Sequence, residues 1–172
     1  GATQRLPRIC GIPSALPVLL GNANWDADTA LKSHVISAAL PADAALAEAT
    51  QWVLEHPQAQ AAWDTKGYKV PQGAGAMAAH SNRSFGESIA SIRKTTHDNQ
   101  PAPLSIVTAV YEGTQLPIDA GLLVEVQCAA QTLAQPATIN QIRTLWLKQD
   151  QARQLVRRPA NIDKHEVRKL GV

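Results

Sequence analysis

Prolines and glycines divide this chain into separate elements. Eleven prolines and ten glycines fall within 172 residues, and proline lacks the N–H that a helix interior or a central strand needs. The apolar residues between the breaks recur at helical spacing, so the chain is expected to fold as a series of helices. Apolar residues make up 45% of the chain, enough for one core, whereas aromatics are only 4% and alanine is abundant. That balance favours helix packing over a sheet sandwich. The expected fold class is mostly α, with at most one or two short strands.

In chain order, Leu6, Ile9, Ile12, Leu16, Leu19 and Leu20 set a helical rhythm that Gly11 and Pro13 divide into two short helices. Acidic residues at Asp26 and Asp28 suit the start of the next helix. Val35 and Ile36 are β-branched and stand shortly before Pro41, so residues 34–41 read as one short strand. Leu46, Ala49, Val53 and Leu54 share a face of a helix that Pro57 ends. Residues 67–82 lack periodicity and read as a surface loop. Phe85, Ile89 and Ile92 restore the helical pattern, and Leu104, Val107 and Tyr111 mark a further helix limited by Gly113 and Pro117. The helix over 119–135 would bury Leu122, Val126, Ala129 and Leu133. Ile139, Ile142, Leu145, Trp146, Leu155 and Val156 trace a last helix, after which VRKLGV reads as a strand.

Charge is unevenly placed. Residues 1–142 hold 8 Lys or Arg against 11 Asp or Glu, and residues 143–172 hold 8 against 3. No aromatics interleave with the basic stretch and no zinc spacing accompanies it, so it reads as a solvated helix face and linker rather than a nucleic-acid surface. Cys10 and Cys128 are too few for a disulfide framework and read as two reduced thiols of a cytoplasmic protein. No segment has the pattern of a signal peptide, and no run approaches the roughly 18 apolar residues that span a bilayer.

The residues assemble no complete catalytic constellation. His34, His56, His80, His97 and His165 occur singly without metal-ligand spacing, the serines lack a GxSxG elbow, and Gly113 and Pro117 stand between Glu112 and Asp119. A dinucleotide site needs glycines directly after its first strand, and VRKLGV has none after it within the 172 residues.

Several segments nevertheless resemble one family. GATQRLPRICGIPSALPVLL is similar to the crotonase (enoyl-CoA hydratase/isomerase) stretch GGTQRLPRLIG and the apolar helix after it. DADTALKSHVISAALPAD resembles the family's DAxxALxLGLVDxVVP, with Lys32, Ser33 and His34 replacing small and apolar residues. WDTKGYKVPQG, PAPLSIVTAVYEGTQLPIDAGLLVE and INQIRTLWLKQDQARQ resemble bacterial multifunctional fatty-acid oxidation enzymes, which fuse enoyl-CoA hydratase to 3-hydroxyacyl-CoA dehydrogenase. The match runs through essentially the whole chain and is weakest over 73–82.

The resemblance implies a piece of a longer enzyme, in keeping with a first residue that is not methionine. Residues 1–65 would be the C-terminal portion of the hydratase domain, 66–101 a loop and linker helix, 102–158 a helical region closing the hydratase, and 159–172 a linker and the first strand of an NAD-binding domain. Family members hydrate 2-enoyl-CoA with two glutamates and a backbone oxyanion hole, all of which precede the TQRLPR motif. The NAD fingerprint and the dehydrogenase histidine would follow VRKLGV. The 172 residues alone are therefore expected to lack both activities, and Gly1 and Ala2 to stand near the hydratase centre. Lys66, Lys69, Arg93 and Lys94 are candidates for the CoA phosphates and Phe85 for the adenine ring. Each cation equally suits a solvated surface, and for Phe85 the helical register with Ile89 and Ile92 favours the core over the adenine ring.

The partners implied are an acyl-CoA thioester, the rest of the hydratase and dehydrogenase domains, a thiolase subunit and further copies of the same chain, in the bacterial cytoplasm. Two other readings fit the residues: an independent helical interaction module, and an acyl-CoA binder without catalysis.

Overall fold

Gly11 makes the first corner of the fold. It lies between two helices at φ 83°, a left-handed region open to glycine at little cost, and a Cβ there would sit 3.1 Å from the Pro71 carbonyl oxygen. The computed structural model describes residues 1–21, 23–75, 77–157, 159 and 161–162; among these the protein is mostly α and contains no strand. The helices are α1 (Ala2–Cys10), α2 (Ile12–Leu19), α3 (Ala27–Lys32), α4 (Ala42–Glu55), α5 (Ala79–Thr96), α6 (Pro101–Gly113), α7 (Ile118–Leu133), α8 (Pro136–Ile142) and α9 (Lys148–Arg153). A 3-10 turn occupies Ala62–Asp64, and a π turn, Arg143–Leu147, makes α8 and α9 one continuous helical stretch.

One core holds α2, α5 and α6 together. Ile12 and Leu16 from α2, Phe85 and Ile92 from α5, and Val107 and Val110 from α6 are all buried, each fully buried side chain contributing about 1.5–3 kcal/mol. The Phe85 ring meets the edge of Tyr111 at 5.2 Å between centroids and 85° between planes, a favoured aromatic geometry. Beside this core α6 and α7 form an antiparallel hairpin. Ser105 Oγ donates to Cys128 O, Thr132 Oγ1 donates to Ser105 Oγ, and Gly121 approaches Gly113 near the turn.

The helical expectations hold in outline and need correction in four places. Residues 34–41 form no strand: His34, at φ 58°, ends α3 in the left-handed conformation, so that its N–H bonds to Leu31 O and the Val35 N–H to Ala30 O. This is a Schellman cap, and it uses the β-branched pair locally. The last helix stops at Arg153, short of Leu155 and Val156, through the same device with Leu155 at φ 55°. α5 begins at Ala79, inside the expected 67–82 loop, and the remaining loop is not wholly superficial, since Gly75 is buried and Ser81 Oγ holds Gly73 O at 2.8 Å. α7 turns Gly121 and Thr132 inward and leaves Val126 and Leu133 63% and 59% exposed. The strand expected at VRKLGV lies outside the described residues.

The division into α1 and α2 is as expected, but the apolar rhythm does not show which face of α1 turns inward. Its buried positions are Gln4, Pro7 and Arg8, while Leu6 and Ile9 are half-buried. The stripe that faces the protein carries two polar side chains, Gln4 and Arg8, beside Pro7.

Candidate functional site

Gln4 and Arg8 stand four residues apart and therefore on one face of α1. Both are buried, Gln4 completely and Arg8 to 3% exposure, so each polar group needs a partner. Gln4 Nε2 donates to Ala109 O at 2.7 Å. Arg8 Nη1 donates to Gln4 O at 2.8 Å and Gln4 Oε1 at 3.0 Å, and Nη2 donates to Gly113 O at 2.9 Å and Leu116 O at 2.8 Å. The planar fork of arginine is what lets one side chain join α1 to the end of α6. The hairpin makes room for it with two glycines. A Cβ on Gly113 would fall 2.4 Å from Gln4 Nε2, and one on Gly121 2.6 Å from Gln4 Oε1 and 2.7 Å from Gly113 O.

This lock forms one wall of the largest cavity described, about 630 Å³, bounded by the end of α1, the 65–74 loop and the α6–α7 turn. The Tyr68 hydroxyl donates to Arg8 O and ties the loop to α1. Burial pushes the Tyr68 phenol above its ordinary value, against a downward pull from Arg8, and burial likewise holds the Arg8 guanidinium below its ordinary value. Trp63 and Lys69 also line the space.

The residues singled out from the sequence are dispersed. Lys69 lines this cavity, and Lys66 is exposed on the same loop. Phe85 is 5% exposed in the core and edges a separate groove between α5 and α6. Arg93 and Lys94 are exposed in the last turn of α5, where Arg93 Nε lies 3.9 Å from Asp98 Oδ1. Neither lines the cavity. Gly1 and Ala2 are exposed, and the Gly1 amine and Thr3 hydroxyl both donate to the Glu125 carboxylate on α7. Desolvation raises the Glu125 value, but these bonds outweigh it and hold the carboxyl below its ordinary range.

Sequence reasoning passed over Gln4, Arg8, Trp63 and Tyr68. The four-residue spacing of Gln4 and Arg8, which puts both on one helix face, is the signal that marks the first two. Burial pushes both cysteine thiols up, Glu112 adding to the effect at Cys128, which lowers their thiolate character, and Cys10 Sγ donates to Leu6 O at 3.2 Å. Among the described residues no cluster of His, Cys, Asp or Glu could hold a metal, and no helix is long and apolar enough to cross a membrane.

No protein-family model matches the chain. It is 32% identical over 127 residues to the fatty acid oxidation complex subunit alpha of Shewanella loihica, a span covering 74% of this chain and 18% of that protein. The subunits of the same name from Shewanella halifaxensis and Shewanella baltica are 31% identical over 126 residues and 30% over 125, each covering 73% of this chain and 17% of the relative. The chain is thus related to fatty acid oxidation complex alpha subunits over about three-quarters of its length, and it spans less than a fifth of the length of these curated relatives.

Proposed function

We propose that the chain is the helical part of a β-oxidation enzyme that covers a hydratase domain and leads to a dehydrogenase domain. The observation that carries this reading is the identity of 30–32% to fatty acid oxidation complex alpha subunits. The polar lock of Gln4 and Arg8 supports it by giving the TQRLPR segment a structural role, that of fastening the first helix to the α6–α7 hairpin. Residues 1–65 then belong to the hydratase, 66–158 to its linker and closing helices, and 159–172 to the approach to the NAD-binding domain. Acyl-CoA is the substrate, NAD the cofactor of the dehydrogenase, and the bacterial cytoplasm the setting.

Within this reading Lys66, Lys69, Phe85, Arg93 and Lys94 are candidate contacts for CoA, and Gly1 and Ala2 lie on the hydratase side. The exposed apolar residues of α4, with Leu46 79% and Leu54 76% exposed, favour packing against more protein: the remaining hydratase, a thiolase subunit or another copy of the chain. The same observation favours a second reading, an independent interaction module. Assays of crotonyl-CoA hydration and of NADH formation from 3-hydroxybutyryl-CoA test the proposal. Expressed from its full gene, the protein is expected to show both activities, and the 172-residue chain neither. Absence of both from the full gene product, or turnover by the 172 residues above a blank purified in parallel, overturns it.

A further inference from the structure

α4 is apolar on one side and satisfied on the other. Leu46, Ala49 and Val53 share one face, and Glu48, Gln51 and Glu55 the opposite one, where Gln51 Nε2 donates to Glu55 Oε1 at 2.8 Å. None of its residues is buried. The apolar face therefore stands open along the full helix, whose 14 residues measure about 21 Å at 1.5 Å each.

The α6–α7 hairpin carries the complementary surface. A groove of about 290 Å³ lies along the two helices, apart from the larger cavity beside Arg8. Its hydroxyls and carboxylate are already bonded inside the fold: Thr3 donates to Glu125, Ser105 Oγ to Cys128 O at 3.1 Å, and Thr132 Oγ1 to Ser105 Oγ at 2.7 Å. What remains is apolar, and Ala102, Ala109 and Ala129 are small enough to let another helix approach closely. With 13 and 16 residues, α6 and α7 run about 20 and 24 Å, a match in length for α4. An apolar groove of this kind takes the apolar face of a helix.

We propose that α4 of one copy of the chain lies in the α6–α7 groove of a second copy, and that the exchange is reciprocal, making a two-fold pair. A helix about 21 Å long and about 10 Å across, covered over half its wall, buries about 700 Å² counting both partners. Two such contacts bury about 1,400 Å², within the roughly 1,200–2,000 Å² of specific interfaces, whereas one alone stays below that range. Each copy offers both surfaces, so a two-fold axis satisfies both at once and closes the assembly. Below the concentration at which pairs form, α4 is free and Leu46 adds little to stability. The proposal selects one of the coverings of α4 considered above, and it does not depend on the β-oxidation reading, because the open helix face and the apolar groove carry it.

Light scattering over a concentration series of the 172-residue protein should read a mass that rises from one chain to two. Leu46→Glu on α4 and Ala129→Glu in the groove should each weaken pairing at least tenfold, with unchanged circular dichroism because both residues are exposed, while Glu48→Gln on the polar face leaves it intact. An equal mixture of the two glutamate variants should pair more tightly than either alone, since one of its two contacts is whole. In a Cys10→Ala background, Ala49→Cys should join Cys128 of a second chain on mild oxidation with diamide, and Glu48→Cys should not. Adding Cys128→Ser should abolish the link, and mass spectrometry should find the same link in the full gene product. A protein that stays monomeric, masses that grow beyond two chains, a mixture that pairs no better than its components, or a link that survives Cys128→Ser overturns the proposal. So does a link confined to the 172 residues, which would assign α4 to the rest of the hydratase or to another subunit.

Discussion

α1 and α4 are both amphipathic, and the protein treats them in opposite ways. α1 turns Gln4, Pro7 and Arg8 inward, whereas α4, with its apolar residues at regular spacing, buries nothing and leaves Leu46, Val53 and Leu54 79%, 62% and 76% exposed. A partner decides burial; pattern only proposes it. The polar stripe is inside because acceptors from α1 itself, α6 and the α6–α7 turn complete its hydrogen bonds, and the apolar stripe is outside because no described element covers it. The largest effect should come from breaking the polar stripe. Arg8→Ala removes four hydrogen bonds and is expected to cost about 4 kcal/mol, at about 1 kcal/mol for each. Arg5→Ala, on the exposed side of the same helix, should stay within about 0.5 kcal/mol. Urea denaturation of the two variants separates them, and equal midpoints would remove the polar lock from the account.

The apolar half of the comparison is tested by a matched pair of leucines. Leu16 is 0% exposed in the core and Leu46 is 79% exposed on α4. Leu16→Ala should lower stability by about 3 kcal/mol, through lost transfer energy and the cavity left behind, and Leu46→Ala by less than about 0.5 kcal/mol. If the Leu46 variant loses as much as the Leu16 variant, α4 has a partner in solution. In that case the loss should grow with protein concentration, as linked association requires.

What was legible in the sequence follows the same division. Helix positions from α5 to α8 came through because Gly113 and Pro117 bound the end of α6 and the core positions Phe85, Ile92 and Val107 keep helical spacing. The strand expected at 34–41 and the overlong last helix failed for one physical reason: His34 and Leu155 adopt left-handed caps without glycine, so no residue announces the helix end. The inward faces of α1 and α7 were missed because close helix packing there rests on Gly113, Gly121 and a polar lock, whereas periodicity weighs only apolar side chains. Within the candidate site Lys69 was legible as a cation on a loop, but Arg8 was not, since its burial depends on acceptors more than 100 residues away in sequence.

A smaller effect, of opposite sign, is expected where α8 meets the hairpin. Thr138 is 8% exposed and its Oγ1 is buried without a hydrogen-bond partner. An unmet buried hydroxyl is costly, and a methyl of the same shape is not. Thr138→Val should therefore stabilise the protein by about 1 kcal/mol, read as a higher urea midpoint at unchanged slope. Destabilisation would mean that the hydroxyl has a partner in solution, and that the 136–153 stretch is more deeply engaged than α4.

The smallest effect lies in the exposed arm itself. Asp26 caps α3 by accepting the Thr29 N–H at 2.8 Å, and hydrogen bonds from Thr29, side chain before backbone, hold its carboxyl below the ordinary value. A carboxyl lowered in the folded state adds stability above its unfolded value, about 3.9, and that contribution is lost as pH falls through the lower folded value. Acidification should therefore loosen α3 below about pH 4 while the Leu16 core persists. Hydrogen-exchange protection of the Thr29 and Ala30 amides should fall before that of Val110, and Asp26→Ala should leave α3 weakly protected at every pH. Protection at Thr29 that outlasts Val110 would mean that the arm is held by more than its own cap, and the contrast between the packed helices and α3–α4 would have to be redrawn around an occupied α4 face.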